Sequence, residues 1–577
     1  MAHIIPSPEI YGSGSFIDTN PLPVPDDASR IFKLLAKATP GFTQDFAKWE
    51  TVSFEGSAEP IIPGPIKAPQ IAAALHAMCG IVANEIINDR EAEKESSHQR
   101  MVINTDHAAL WLGTVGFVKL NGMDIPEMTK AGKLSAVYKT DFEKGAFAAP
   151  LRVRTTANYP TKTPGVWYQL HGSLNAIPVL KAIGLDPEMP CSTPQEAYDI
   201  ISKCVQQFGA DELEMKMVKL GLCGNIVYTP QGWRETEMSK QLSRHPLVNY
   251  KLQSHAISTP PVPMPHLASD KRPLAGIKVV ELVRIIAGPV IGTTLAALGA
   301  DVIRVNCSRL PDINSLQLTL NAGVRTIDID LKKDQDVERL MSLVQKADIF
   351  IQGYRPGVIA KNGLSLPDLL EMAGKRGKGI VYVEENCYGP DGSFSARPGW
   401  QQVGDAASGA SYVTARAIGH TDGRGILPSL PIPDMMTGLI GALGALMSIR
   451  DRARNGGSYH VFASLLAAAA YPLNPEIGLY SPDVVKRVDE KFKWESMDAS
   501  LFVFELLDVA MRGWKRVFPD IYSRDSPFTV TLEGEWGTFD LLKPVVNLVD
   551  EEVTPRWLTA PVPHCWHDSA TISWHSS

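Results

Sequence analysis

The chain has 577 residues, 44% of them hydrophobic, and a formal net charge of −7. That is more than one ordinary core can bury, so a large multi-lobed protein is expected. The acidic balance supplies no basic stripe to neutralise a phosphate backbone, which argues against nucleic acid as a partner.

Seven cysteines stand scattered at 79, 191, 204, 223, 307, 387 and 565 with no CxxC pair. That pattern suits reduced structural thiols better than a zinc or disulfide framework. The thirteen histidines form no HExxH, so no metal is assigned. The first thirty residues carry neither a signal-peptide pattern nor an Arg-rich amphipathic one, and the final SWHSS is not a peroxisomal tripeptide. The expected location is intracellular, cytoplasmic in the first instance with mitochondrion and peroxisome left open, and no membrane partner is expected.

In chain order, residues 60–84 (PIIPGPIKAPQIAAALHAMCGIVAN) give a proline entry into an Ala/Gly-rich helix. Residues 258–273 read as a linker, because proline fills four of the first eight positions. From 273 to about 385 the patterns alternate. Strands are expected at 276–283, 301–306, 326–331, 348–353 and 379–385, with helices at 287–300, 332–347 and 366–375 between them. Apolar strands separated by helices predict a doubly wound parallel sheet covered on both faces, an α/β fold that binds ligands beyond the carboxyl ends of its strands.

Residues 427–450 (LPSLPIPDMMTGLIGALGALMSIR) then repeat the 60–84 pattern when Pro65-Ile66 is laid on Pro431-Ile432, which sets Ala68 opposite Asp434. The uncharged run 435–449 is shorter than the roughly 20 residues that span a bilayer, and it predicts a core helix. In the tail, 501–518 predicts an amphipathic helix and 541–550 a strand, both returning to cover the core.

Asp434 has two compatible readings. Aspartate just before an apolar helix is a preferred N-cap, worth about 1 kcal/mol over alanine. The same place, with its free N–H groups and positive dipole end, would keep a carboxylate ionised in a dry pocket, where it is a competent nucleophile toward a thioester. The turn VRIIAGPVIG (283–292) lacks the GxGxxG spacing, which counts against a dinucleotide dehydrogenase, though a helix start there still suits a phosphate or adenine. GYRPGVIAKNGLS (353–365) supplies Tyr354, Arg355 and Lys361 after a strand, as a polyphosphate ligand requires. No GxSxG elbow is present.

RPLAGIKVVELVRIIAGPVIGTTLAALGADVIRVN, NAGVRTIDIDLKK, ADIFIQGYRPGVIAKNGLS, RPGWQQVGDAASGASYVT and IPDMMTGLIGALGALMSIRDRARNGGSYHVFASLL, in this order over about 273–470, resemble the family III CoA-transferases of the CaiB/BaiF type. WYQLHGSLNAIPVLKAIGL (167–185) and GADELEMKMVKLGLCGNIVYTPQGW (209–233) are similar to that family's small domain. The resemblance implies tandem partial repeats of that fold: a degenerate large-domain copy at 1–160, a small α+β domain at 161–257, the linker at 258–272, a nucleotide-binding large domain at 273–475, and a C-terminal segment at 476–577 packing back on the core. It leaves a homodimer or an intramolecular pseudo-dimer as the assemblies.

The implied activity is CoA transfer from an acyl-CoA donor to a carboxylic acid acceptor. Asp434 is the implied nucleophile, passing through an aspartyl anhydride and an aspartyl-CoA thioester. CoA is then a substrate, with no tightly bound cofactor, held along Ile285, Ile286 and Ala287, with Arg325, Tyr354, Lys361 and Trp400 further on. The sequence departs from the family pattern at Gly353-Tyr354, where Asn-Phe is usual, near Asn306-Cys307, where a cation is usual, and at Gly323-Val324-Arg325, where Asn-Lys-Arg is usual. The racemase branch carries histidine where this chain has Trp400, which ranks a 2-methylacyl-CoA racemase below a transferase. A catalytically inactive CoA-binding scaffold is the third reading.

Overall fold

The computed structural model describes residues 3–90, 99–137, 149–265 and 269–575. Positions 266–268 of the expected linker, and 91–98 and 138–148 of the expected first copy, lie outside the described residues.

The central element is a seven-stranded sheet. Its strands are β1 (Asn249–Gln253), β2 (Lys278–Leu282), β3 (Asp301–Asn306), β4 (Val324–Asp328), β5 (Ile349–Gln352), β6 (Val381–Asn386) and β7 (Ser458–Ser464), in the order β1-β7-β6-β5-β2-β3-β4. Every pairing is parallel except β1 against β7. The two-residue alternation of a strand sends Val279, Ile351 and Val383 into one core, and Val280, Phe350 and Tyr382 into another on the opposite face. The doubly wound expectation therefore holds, with one correction: β1 belongs to the large sheet, although the expected small domain ran to 257.

Two long helices are buried along their apolar lengths: α1 (Ala68–Arg90) and α5 (Ile432–Asn455). Both are long and apolar enough to cross a membrane by composition, and in the fold both lie inside the core. They pack on each other, and α5 also packs on α2 (Ala287–Ala297). That approach is close because of glycine. A Cβ at Gly438 would stand 2.4 Å from Val290, one at Gly441 2.7 Å from Ile291, and one at Gly444 2.5 Å from Val461 of β7. Three glycines at a spacing of three lay one stripe of α5 against its neighbours at backbone distance.

The same local architecture occurs twice. In the second half, β6 and β7 pair in parallel around α5, and Ser464 caps the next helix, Leu465–Ala470. In the first half, Val52–Glu55 and Met101–Asn104 pair in parallel around α1, and Asn104 caps Thr105–Leu112. Between the halves, Ala157–Pro160, Trp167–His171 and Cys223–Ile226 form a three-stranded antiparallel sheet with its own core.

The tail completes the first half. Leu479–Tyr480 pairs with Phe16–Asp18, Gly537–Leu542 with Val118–Leu120, and Asn547–Leu548 with Met101–Asn104. The expected amphipathic helix is Val503–Val517, with Trp514 donating its indole N–H to the Ile61 carbonyl at 2.5 Å. The strand expected at 541–550 is divided: Leu541 and Leu542 end one strand, and a two-residue strand follows at Asn547–Leu548. Pro544, which has no N–H to give a ladder, lies between them.

Candidate functional site

A cavity of about 570 Å³ opens beyond the carboxyl ends of β2, β5 and β6, where an open parallel sheet presents its loops and helix starts to a ligand. Asp434 lines it and is 7% exposed.

The expectation that Asp434 caps its helix is overturned. The helix α5 begins at Ile432 with Pro431 in the cap position, which makes Asp434 the third helical residue, and no side chain caps the start. Proline at N1 or N2 needs no N–H there, and Pro433 serves in that way. The Ile432 amide donates to Leu430 and the Met435 amide to Pro431, so the helix start offers a ligand fewer free N–H groups than expected. The electrostatic expectation is reversed as well. Burial pushes the Asp434 carboxyl up to about 7, so desolvation outweighs the helix end. Among the described residues no side-chain donor hydrogen-bonds to it.

Two further carboxyls stand nearby. Glu385, the last but one residue of β6, is pushed up to about 8, by burial first and then by the charge of Asp434. Asp405 is held well above the usual carboxylate range by burial and by Asp434, although Gln401 donates to its Oδ2 at 2.6 Å. Glu385 explains one departure in the sequence: a Cβ at residue 353 would stand 2.5 Å from Glu385 Oε1, so Gly353 makes room for that carboxyl.

The turn from β2 into α2 forms one wall with Ile285, Ile286 and Ala287, as expected. Ile285 has φ +71°, a left-handed conformation that a β-branched side chain adopts only at a cost of about 1–3 kcal/mol. Tyr354 and Trp400 also line the cavity. The indole of Trp400 stacks on His171, with centroids 4.8 Å apart and planes 23° from parallel. The Ser173 amide donates to His171 Nδ1 at 2.9 Å, so Nε2 carries the proton and donates it to Gln402 Oε1, also at 2.9 Å. Burial lowers His171 to about 4 and keeps it neutral.

Two expected contacts are corrected. Arg325 lies on β4 away from the cavity, gripping Asp301 at 2.6 Å and donating to the Ser573 carbonyl at 2.7 Å, so the tail has claimed it. Lys361 sits in the exposed single turn Ala360–Asn362 and does not line the cavity. The cations that do line it are Arg284, Arg355 and Arg397. Arg397 is engaged, donating to Glu214 and to the Gly224 carbonyl of the small domain. Arg284 is 3.9 Å from Asp312, and its buried Nη2 has no acceptor among the described residues.

Ser173, Leu174 and Cys223 bring the small domain into the same wall. Arg284 and Glu385 are residues that sequence reasoning passed over. A signal existed for both, since Glu385 ends one predicted strand and Arg284 follows another, on the edge where a doubly wound sheet binds its ligand.

The description "CoA-transferase family III" matches residues 274–498. An "Acyl-CoA transferase" of Gibberella moniliformis (strain M3125 / FGSC 7600) is 44% identical over 571 residues, which are 98% of this chain and 99% of that one. The "Acetyl-coenzyme A transferase nodX" of Hypoxylon pulicicidum is 32% identical over 72% of this chain and 70% of its own. Among solved structures, a CAIB/BAIF family protein from Brucella suis is 27% identical over 35% of this chain and 55% of that one, at a TM-score of 0.32. With nearly half its residues matched over the whole length of a named acyl-CoA transferase, and with a site at the strand ends of a doubly wound sheet, the chain belongs to CoA-transferase family III.

Proposed function

We propose that this enzyme moves CoA from an acyl-CoA donor to a carboxylic acid acceptor, with Asp434 as the nucleophile. The observation that carries the reading is a buried carboxylate, unpaired with any side-chain donor, on a cavity wall that also holds an arginine with a free buried N–H. A carboxylate stripped of solvent and partners attacks an acyl carbon more readily than a hydrated one.

A carboxylate oxygen of Asp434 adds to the thioester carbonyl, the C–S bond breaks, and CoA leaves as the thiolate from a mixed anhydride. The thiolate attacks the Asp434 acyl carbon, expelling the donor's carboxylate and leaving an aspartyl-CoA thioester. The acceptor carboxylate attacks that thioester and forms a second anhydride with release of the thiolate. Attack of the thiolate on the acceptor's acyl carbon frees the new thioester and restores Asp434. Arg284 and Arg355 would hold CoA phosphates, with Tyr354 and the 285–287 turn along the length of the CoA moiety.

The racemase reading needs a second base. Trp400 cannot act as one, and both nitrogens of His171 behind it are engaged. The domain division at 161, 273 and 476 is retained as part of this proposal, with the small domain ending before Asn249 and two partial copies sharing one active centre inside a single chain. The seven free thiols support a reducing intracellular setting.

The test is mass spectrometry after mixing with acyl-CoA. A hydroxylamine-cleavable adduct on the Asp434 peptide, absent from Asp434→Ala, is expected. Reversible binding with no adduct would favour the CoA-binding scaffold.

A further inference from the structure

Asp434 stands at the junction of two cavities. One is the large cavity described above, with arginines in its wall. The other is a pocket of about 50 Å³, and the two share Ile285, Ile286, Trp400 and Asp434. Asp434 borders both spaces, so a thioester carbonyl presented to it from the large cavity, where CoA would lie, has the small pocket as the adjoining space for its acyl chain.

The lining of the small pocket differs in kind from that of the large one. Its outer wall is Val115 from the first half with Val503, Phe504 and Leu507 from the tail helix, and its inner wall includes Ile313 and Leu316. Asp434 is the one charged residue in that lining, and no Lys, Arg or His occurs there among the described residues. Of its amides, Gln401 donates to Asp405 and Gln402 accepts from His171 through Oε1, so the polar donors in the lining are the neutral Gln402 amide and the Ser429 hydroxyl, neither of them a cation. The close fit has a cause: a Cβ at Gly116 would stand 3.0 Å from Leu507, so glycine beside Val115 lets the tail helix close the wall.

We infer that this pocket is the acyl-selecting subsite, and that it takes a short aliphatic acyl group and rejects dicarboxylyl groups. At about 10–15 Å³ for one water-sized group, 50 Å³ admits roughly three to five non-hydrogen atoms beyond the carbonyl. A second carboxylate would be buried without a cation and beside Asp434, a combination that costs far more than an extra methylene gains. The first half thereby has a part in the reaction despite lacking the aspartate, since Val115 is its contribution to substrate choice.

This inference rests on the transferase reading, and its test is built to fail separately. Adduct formation and kcat/KM are measured for acetyl-, butanoyl-, octanoyl- and succinyl-CoA with one acceptor. Butanoyl-CoA should exceed both octanoyl- and succinyl-CoA by about tenfold or more, the scale on which fitted apolar pockets discriminate. Phe504 is 37% exposed, so Phe504→Ala removes the pocket's outer wall with little loss of core and should raise octanoyl relative to butanoyl. Val115→Phe should lower butanoyl relative to acetyl, with Val115→Ile as a milder version if the larger ring prevents folding, and Phe504→Arg should raise succinyl. Equal wild-type rates for butanoyl, octanoyl and succinyl donors, or variants that shift every donor alike, would overturn the subsite alone. Absence of a hydroxylamine-labile adduct with every donor would overturn the transferase reading and the subsite with it.

Discussion

The starts of α1 and α5 occupy matching places in the two halves, and they treat charge in opposite ways. At α1, Lys67 is fully buried, but its ammonium meets Asp18 at 2.6 Å and Asp27 at 2.8 Å and lies 5.3 Å from the Tyr480 ring. Ala68 follows as the first helical residue. At α5, Pro433 stands where Lys67 stands, and Asp434 where Ala68 stands, with no cation paired with the carboxyl among the described residues. Neither helix depends on the aspartate, because α5 starts before it and α1 starts without one. A buried ionisable group can therefore be a closed structural unit or a reactive group, and the difference lies in whether its partners came with it.

Removing Asp434 should have the largest effect. Asp434→Ala should lower transfer by about 10⁴-fold or more and abolish the adduct, because the reaction loses its nucleophile. Asp434→Asn isolates the cost of the charge. A carboxyl raised in the fold from 3.8 to about 7 binds more protons folded than unfolded between those values, so its contribution to stability is full at low pH and is lost as pH rises through about 7. The asparagine variant should accordingly be more stable than wild type at pH 8, by up to roughly 4 kcal/mol, and show no such gain at pH 4. Denaturant titrations at the two pH values measure this, and an equal difference at both would mean that the carboxyl is not strained by burial.

The opposite result is expected at the other helix. Lys67→Met leaves Asp18 without its cation and Asp27 with only Arg30, 2.7 Å away and partly exposed. Breaking a buried pair in this way costs about 3–5 kcal/mol, and turnover per folded molecule should stay unchanged. A triple variant that also carries Asp18→Asn and Asp27→Asn should regain much of the loss, since no uncompensated charge remains. A kinetic defect in the folded single variant would sink the view that this centre is purely structural.

The contrast also marks how far the sequence could be read. The alternation over 273–385 placed five strands of the parallel sheet, because strands covered on both faces are apolar throughout, and it stopped short of the sixth, Ser458–Ser464. The alignment of 60–84 with 427–450 found both long helices. What it could not convey is that Asn249–Gln253 crosses to the edge of the large sheet, or that the tail pairs with strands some 400 residues earlier, since long-range pairing leaves no local period. At the site, the 285–287 turn, Tyr354, Trp400 and Asp434 were legible from motif order. Arg325 and Lys361 were misassigned because a basic residue near a strand end looks the same whether it faces a ligand or a tail carbonyl. The direction of the Asp434 shift was unreadable too, as burial enters only through the packing of other segments.

Arg284 sharpens the comparison at smaller scale, being a cation in the cavity whose partner, Asp312, is 3.9 Å away, whereas Lys67 is fully bonded. Arg284→Ala should raise KM for the CoA thioester about tenfold with kcat little changed, and the salt dependence of kcat/KM should weaken. A fall in kcat at constant KM would move Arg284 from CoA binding to the chemical step.

The smallest effect is expected at Glu385, which reports on its coupling to Asp434. Burial pushes both carboxyls up, Asp434 to about 7 and Glu385 to about 8, and the charge of Asp434 adds to the rise at Glu385, so the pair ionises in two macroscopic steps. Activity should rise with pH through about 7 as the nucleophile forms. It should fall a few-fold above about 8, because a second charge beside Asp434 repels the anionic acceptor. Glu385→Gln keeps the neutral form at every pH, so the acid limb should stay near 7 while the alkaline fall disappears. If the alkaline fall survives in Glu385→Gln, another group ionises there. If the acid limb drops well below 7, the charge of Glu385 contributes to holding the Asp434 carboxyl up. Glutamine also fits the space beside Gly353, so a change confined to the alkaline limb reports the charge and not the packing.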